Sequence, residues 1–182
     1  MKVFLNLARI YIPAYLKKRK LQELLQLTAD AFQCESPDTK DLSFDEGLKK
    51  FAQFTNEQVA TAIQKKADLE AIRSRLYQNS FHIGQKIRKD FRITTQAEIM
   101  MMSKIIYRLL GIEFQYDMSG EVDIKSCFFS HFYISRVCQI ISALDEGLFA
   151  GLSAGGRLLF KNRITEGKNC CRASYILPEN LP

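Results

Sequence analysis

The sequence predicts an α+β fold: an N-terminal layer of helices, then an antiparallel sheet of about four strands, with one helix inserted between two hairpins. Two observations predict it. Through residues 1–110 apolar side chains recur every three or four positions, the spacing of one helix face. After Gly111 the period drops to two, and that alternation returns at 157–160 and 171–176, the pattern of half-buried strands. With 182 residues, 47% of them hydrophobic, the chain has enough material for one domain with a core, read as a helical half (1–110) and a sheet half (111–182).

The elements follow in order. Leu21, Leu24, Leu25, Thr28, Ala31 and Phe32 share one face of a helix running to about Cys34, which Glu35-Ser36-Pro37-Asp38 ends because proline disfavours helical geometry before it. Ser43 and Glu46 form a capping-box pattern ahead of Leu48, Phe51, Ala52 and Phe54. Thr55-Asn56-Glu57 reads as a restart. From Val59 to about Lys89 the spacing stays helical, as one helix or as two broken near Gln78-Asn79-Ser80. Thr94 or Thr95 caps a helix from Gln96 to Leu110, with Gly111 as its stop. Ile112, Phe114 and Tyr116, the Ser119-Gly120 turn, and Val122 and Ile124 make a hairpin. A helix is expected from near Phe132 to about Gly151. Beyond Gly155-Gly156, Arg157–Phe160 and Cys171–Ile176 form a second hairpin around Glu166-Gly167.

Charge is unevenly placed. The net +6 is carried by residues 1–22, where Lys2, Arg9, Lys17, Lys18, Arg19 and Lys20 meet no acid; the remaining 20 bases and 20 acids cancel. A nucleic-acid surface spreads its bases over a face, so no nucleic-acid partner is expected. The basic stretch reads first as a solvated helix face. Its functional alternative is weak contact with a membrane surface or an acidic partner, with Leu5, Ile10, Ile12 and Leu16 as an apolar side. No secretory leader and no membrane span are read, and five cysteines, an odd number, fit free thiols, so a cytoplasmic location is expected.

Chemistry concentrates between Cys127 and Cys171, which hold four of the five cysteines and one of the two histidines. A helix that includes Cys127 would set it one turn from His131, a spacing that suits a thiol and its base or a pair of metal ligands. His131, Cys138 and Asp145 are spaced by seven, and Ser142 falls on the same side. Asp145 lies in an apolar stretch where burial raises a carboxyl pKa toward acid–base use. Cys171 comes from a strand, and Cys170 faces the other way. Arg157, Arg163 and Arg172 are candidates to hold a substrate carboxylate, two of them expected at the surface. Against these stand plain readings. Free cysteine often acts as a small buried hydrophobe, a lone His82 is more often packed than a ligand, and Met100-Met101-Met102 reads as core filler.

Cys138 to Asp145, Gly147 to Gly151, Leu158 to Phe160, Arg163-Ile164-Thr165-Glu166-Gly167 and Cys171 together resemble the C-terminal half of the L-2-amino-thiazoline-4-carboxylic acid hydrolase-like proteins. A looser similarity joins them to 4-vinyl reductase-like small-molecule-binding domains. The first resemblance implies a hydrolase acting on a small cyclic carbon–nitrogen or thiazoline-type substrate, with Cys127, Cys138, Asp145 and Cys171 in the family's places; His131, added by its spacing to Cys127, completes the candidate catalytic set. The alternatives are a non-catalytic binding or sensor domain, its apolar pocket built from Phe128-Phe129, Phe132-Tyr133 and Met100–Met102, or a metal or iron–sulfur centre on Cys127, His131, Cys138 and Cys171.

Overall fold

A computed structural model describes residues 12–179. Proline fixes φ at a value that suits a helix entrance, and Pro13 stands at the head of helix α1 (Ala14–Phe32). Gln33 closes that helix in the left-handed region, φ 58. Helix α2 (Phe44–Gln64) opens with the predicted capping box: Glu46 N donates to Ser43 Oγ and Ser43 N donates to Glu46 Oε2. The restart expected at Thr55 does not occur. Thr55 stays helical because its hydroxyl turns back on the Phe51 and Ala52 carbonyls and meets the Tyr133 hydroxyl at 2.5 Å.

The long helical stretch divides earlier than expected, at Lys65–Asp68, where Lys66 takes φ 53 and Asp68 caps helix α3 (Leu69–Asp90). That helix runs unbroken through Gln78-Asn79-Ser80, its Asn79 side chain donating to the Leu27 carbonyl of α1. Thr95 and Glu98 form a second capping box for helix α4 (Gln96–Leu109). Gly111 follows at φ 69, a conformation glycine adopts without cost.

Strands β1 (Ile112–Tyr116), β2 (Glu121–Cys127), β3 (Arg157–Asn162) and β4 (Cys171–Ile176) form one antiparallel sheet in the order β1-β2-β4-β3. The α+β prediction thus holds, with both predicted hairpins joined side by side through β2 and β4. Phe114, Val122, Ile124, Leu158, Ala173 and Tyr175 point into the core. On the other face Lys161 pairs with Glu121 at 2.7 Å and Arg172 with Asp123 at 3.5 Å, the pattern of a solvated sheet surface.

The helix expected from near Phe132 to about Gly151 is two pieces, α5 (Ser135–Ile141) and α6 (Ala143–Leu152), and a 3₁₀ turn (Phe128–His131) precedes them. Helix α6 packs parallel to α3. Gly147 lies against the Tyr77 carbonyl, and Gly151 against the Phe81 carbonyl and Gly84 Cα. The absence of side chains there lets two backbones touch, and this contact fixes the helix that carries Asp145.

In the basic stretch, Arg19 and Lys20 reach Glu23 and Lys17 lies over the Phe44 ring, as on a solvated helix face. Residues 1–11, with Lys2 and Arg9, lie outside the described residues. Among the described residues no helix is long and apolar enough to cross a membrane.

Candidate functional site

Four of the five residues singled out from the sequence gather around one carboxyl. Asp145 stands in the first turn of α6, where an acid complements the helix dipole. Cys127 ends β2, Cys138 lies on α5, and Cys171 opens β4. Each of these thiols feels the charge of Asp145, and Cys171 acts on the other two.

His131 is the exception. Cys127 is not helical: it is extended (φ −138, ψ 118) and paired with Ile112, because the β1–β2 ladder continues to that residue. The one-turn spacing to His131 therefore does not exist, and His131 is exposed at the end of the 3₁₀ turn. The seven-residue stripe from His131 through Cys138 to Asp145 is also broken, since the chain bends at Ser142, whose hydroxyl bonds back to the Gln139 carbonyl at 3.1 Å. Among the described residues no group of three His, Cys, Asp or Glu side chains is placed to hold a metal ion. The proposed Cys127, His131, Cys138 and Cys171 ligand set fails because His131 lies on the solvent side of its turn.

The loop from β3 to β4 closes the site. Asn162 ends β3, a 3₁₀ turn (Ile164–Glu166) follows, and Gly167 at φ 78 reverses the chain. The Ile164 amide donates to Cys171 Sγ at 3.3 Å, tying the turn to β4. Arg163 is drawn inward, its side chain only 14% exposed; it lies over Phe160, donates to Ser142 Oγ at 3.2 Å and stands 3.6 Å from Glu166. Of the three candidate arginines this is the one at the site. Arg157 is exposed, and Arg172 is 62% exposed on the outer sheet face. Behind the site Arg73 of α3 binds Glu146 at 2.8 Å and the Gln139 carbonyl, bracing α5 against α6.

Burial sets the electrostatics. Asp145 is densely surrounded by protein yet keeps some accessible surface. Loss of solvation raises its pKa from 3.8 to about 7, and the charge of Glu146 adds to the rise; Tyr107 and Arg163 oppose it. Burial pushes the Cys127 thiol up to about 12, against the Phe129 and Ser130 amides, and raises Cys138 and Cys171 as well. All three are thiols, not thiolates, at neutral pH.

Two contributors escaped the sequence reading. Tyr107, on α4, is 4% exposed and stacks on Phe114 at 4.6 Å, while its hydroxyl lies beside Asp145 and favours the carboxylate. Its apolar helix spacing is that of any core aromatic, so no sequence signal marks it. Thr165 places its hydroxyl beside Cys138.

The aromatic groups expected to line an apolar pocket instead pack on one another. Phe129 meets Phe51, Phe128 and Tyr133 at centroid distances of 5.8, 5.4 and 5.5 Å, and Met100 and Met102 are buried in the core. A separate cleft of about 610 Å³ opens where α3 and α6 end, lined by Phe81, Gln85, Lys89, Ile93 and Gly155 among others. It shares no residue with the Asp145 centre. Two helix C-termini converge there, so its cations complement carbonyl dipoles, and the titrating groups argue for Asp145 as the site.

No protein-family model matches the chain, and no curated protein matches it. Among solved structures it is similar to a trafficking protein particle complex subunit 3 from Naegleria fowleri, covalently bound to palmitic acid. The TM-score is 0.55 at 14% identity, over 76% of this chain and 99% of that one. The likeness is one of fold.

Proposed function

We propose that the chain is a hydrolase-like enzyme for a small cyclic substrate in which Asp145, rather than a thiolate, moves the proton. The observation that carries this is the gathering of Arg163 and three buried or half-buried thiols about the half-buried Asp145 carboxyl, whose pKa burial raises to about 7. General acid–base catalysis works best with a group whose pKa lies near the working pH. The raised thiols weigh against cysteine as the nucleophile, since the thiolate is the reactive form.

In this reading water adds to the ring carbon of a thiazoline or similar cyclic amidine and gives its proton to the Asp145 carboxylate. The same carboxyl returns the proton to the departing ring nitrogen as the carbon–nitrogen bond breaks, consuming one water. Arg163 holds the substrate carboxylate. The substrate class rests on the resemblance of Cys138–Asp145 and Arg163–Cys171 to the thiazoline hydrolases. Turnover of 2-aminothiazoline-4-carboxylate and related cyclic amidine acids, followed by chromatography, tests it. Asp145→Asn is expected to lower kcat by about 10²-fold or more, while Cys127→Ala, Cys138→Ala and Cys171→Ala stay active. Wild-type protein inert toward the whole panel would end the enzymatic reading.

A non-catalytic binding domain is the second reading, favoured by protonated thiols and by a fold neighbour that carries a fatty acid and belongs to a multi-subunit particle. Native mass spectrometry of the purified chain is its measurement. A bound or covalent ligand, or a protein partner, together with no turnover, would select it.

A further inference from the structure

Away from Asp145, the cleft of about 610 Å³ at the ends of α3 and α6 has the volume of a small-molecule site, which spans roughly 300–1,000 Å³. Its lining is apolar inside and charged at the rim. Ile93 is 1% exposed and Phe81 is half-buried, and Tyr77 stacks on the Phe81 ring at 6.2 Å and 14°, holding it in place. From α6 and the turn after it come only Gly151, Ala154 and Gly155. A side chain at Gly155 would meet no described atom within 4 Å, so the space beside that backbone is open.

The charge of the lining is one-sided. Gln85, Arg88 and Lys89 line the cleft, and no acid among the described residues does. Lys89 is exposed and forms no ion pair among those residues. Cations in a last helical turn also answer the helix dipole, and an anion brought there would meet carbonyl groups. Those carbonyls already accept from backbone amides. On α3 the Ile87, Arg88 and Lys89 carbonyls accept from Phe91 N, Ile93 N and Arg92 N at 2.9, 3.0 and 3.2 Å. On α6 the Phe149 and Ala150 carbonyls accept from Ser153 N and Gly155 N at 2.9 and 2.8 Å. Each amide offsets part of the negative charge of its carbonyl, and the cleft keeps a positive balance.

We propose that this cleft is a second ligand site, for a planar aromatic ring that carries a carboxylate or phosphate. The ring lies among the Phe81 and Ile93 side chains and the small residues at the end of α6, where stacking on Phe81 adds to apolar burial. The anionic group meets Lys89 and the Arg88 guanidinium, with the Gln85 amide as a further donor. A flexible chain of the same charge would lose more rotamer freedom for the same burial, which favours the rigid ring. The cleft shares no residue with the Asp145 centre, so the site stands whether or not that centre catalyses.

Titration of the full chain with 2-naphthoate and 1-naphthyl phosphate, followed through the amide signals of isotope-labelled protein, tests it. Both should bind saturably, one per chain, and shift the amides of Gln85, Lys89, Ile93 and Gly155 while those of Cys138–Asp145 stay in place. The uncharged ring of 2-naphthalenemethanol should bind about tenfold more weakly, the loss of one hydrogen bond to a charged group. Octanoate, which has the charge without the ring, should also bind more weakly than 2-naphthoate. Lys89→Glu, at an exposed position where the fold tolerates the change, should lower affinity for both naphthyl anions by about tenfold or more, and Lys89→Arg should keep it. Phe81→Leu should weaken 2-naphthoate and leave octanoate unchanged; if it does not fold, the Lys89 variants carry the test. No saturable binding, shifts confined to Cys138–Asp145, equal affinity in Lys89→Glu and the wild-type chain, or octanoate as tight as 2-naphthoate would overturn the proposal.

Discussion

At Cys127, Cys138 and Cys171 the same physical term, loss of solvation, makes three neighbouring thiols poor nucleophiles, though their clustering suggests reactivity. Cys170 lies just outside β4 and is more exposed than Cys171. Labelling of the native protein with a thiol-specific disulfide reagent at pH 7.5 should therefore modify Cys170 well before Cys127, Cys138 or Cys171, and all five cysteines only after unfolding. Peptide mapping that finds Cys127 or Cys138 labelled first would return the thiolate to the mechanism. This scale was partly legible in the sequence. Asp145 stood out because an acid in an apolar stretch must be buried or unpaired. Arg163 did not, because nothing local distinguishes it from Arg157 and Arg172; only its contacts with Phe160, Ser142 and Glu166 do. Tyr107 was invisible, since a hydroxyl on a core stripe shows its use only through what lies opposite.

At the scale of elements, the helices and hairpins could be read because spacing, caps and turn glycines agreed with one another. The errors came where a tertiary contact overrode local pattern. Thr55 looked like a new start, but its hydroxyl found acceptors within its own helix and a partner in Tyr133. A pairing of Cys127 with His131 required a helix that includes Cys127, whereas β2 keeps it in the ladder. The most exacting contact is that of α3 with α6. A methyl group on Gly151 would press on the Phe81 carbonyl, 2.7 Å from Gln85 N and 2.9 Å from Gly84 Cα, all backbone atoms with little freedom to yield. Gly151→Ala should cost about 3 kcal/mol in urea unfolding, at the upper end for overpacking, and should shift the helix that presents Asp145. A loss below about 0.5 kcal/mol, within the range of an ordinary surface change, would mean that the helices do not touch as described.

For the whole molecule, the α+β class followed from one change of hydrophobic period at Gly111, but the joining of the hairpins through β2 and β4 did not, because pairing between distant strands leaves no local mark. That joining brings Cys171 of β4 level with Ile124, three residues before Cys127, and so assembles the site from segments that sequence spacing keeps apart. It also sets a global cost. An acid whose pKa is raised on folding binds more protons folded than unfolded between its two values, so stability falls with rising pH across that window. For Asp145 the window runs from about 4 to about 7: its contribution is fully present below the unfolded value and lost as pH passes the folded one. The rise from 3.8 to about 7 corresponds to roughly 4 kcal/mol at most, and the group's residual solvent access brings the expected loss nearer to about 2 kcal/mol. Asp145→Asn keeps the side chain's size and removes the titration. Its unfolding free energy should exceed that of the wild-type chain at pH 8, approach it near pH 4, and vary less between those values. Guanidinium unfolding at pH 4, 6 and 8 measures this directly. Parallel curves for the two proteins would show that Asp145 is ionised at ordinary cost, and would take with them the acid–base role on which the hydrolytic reading depends.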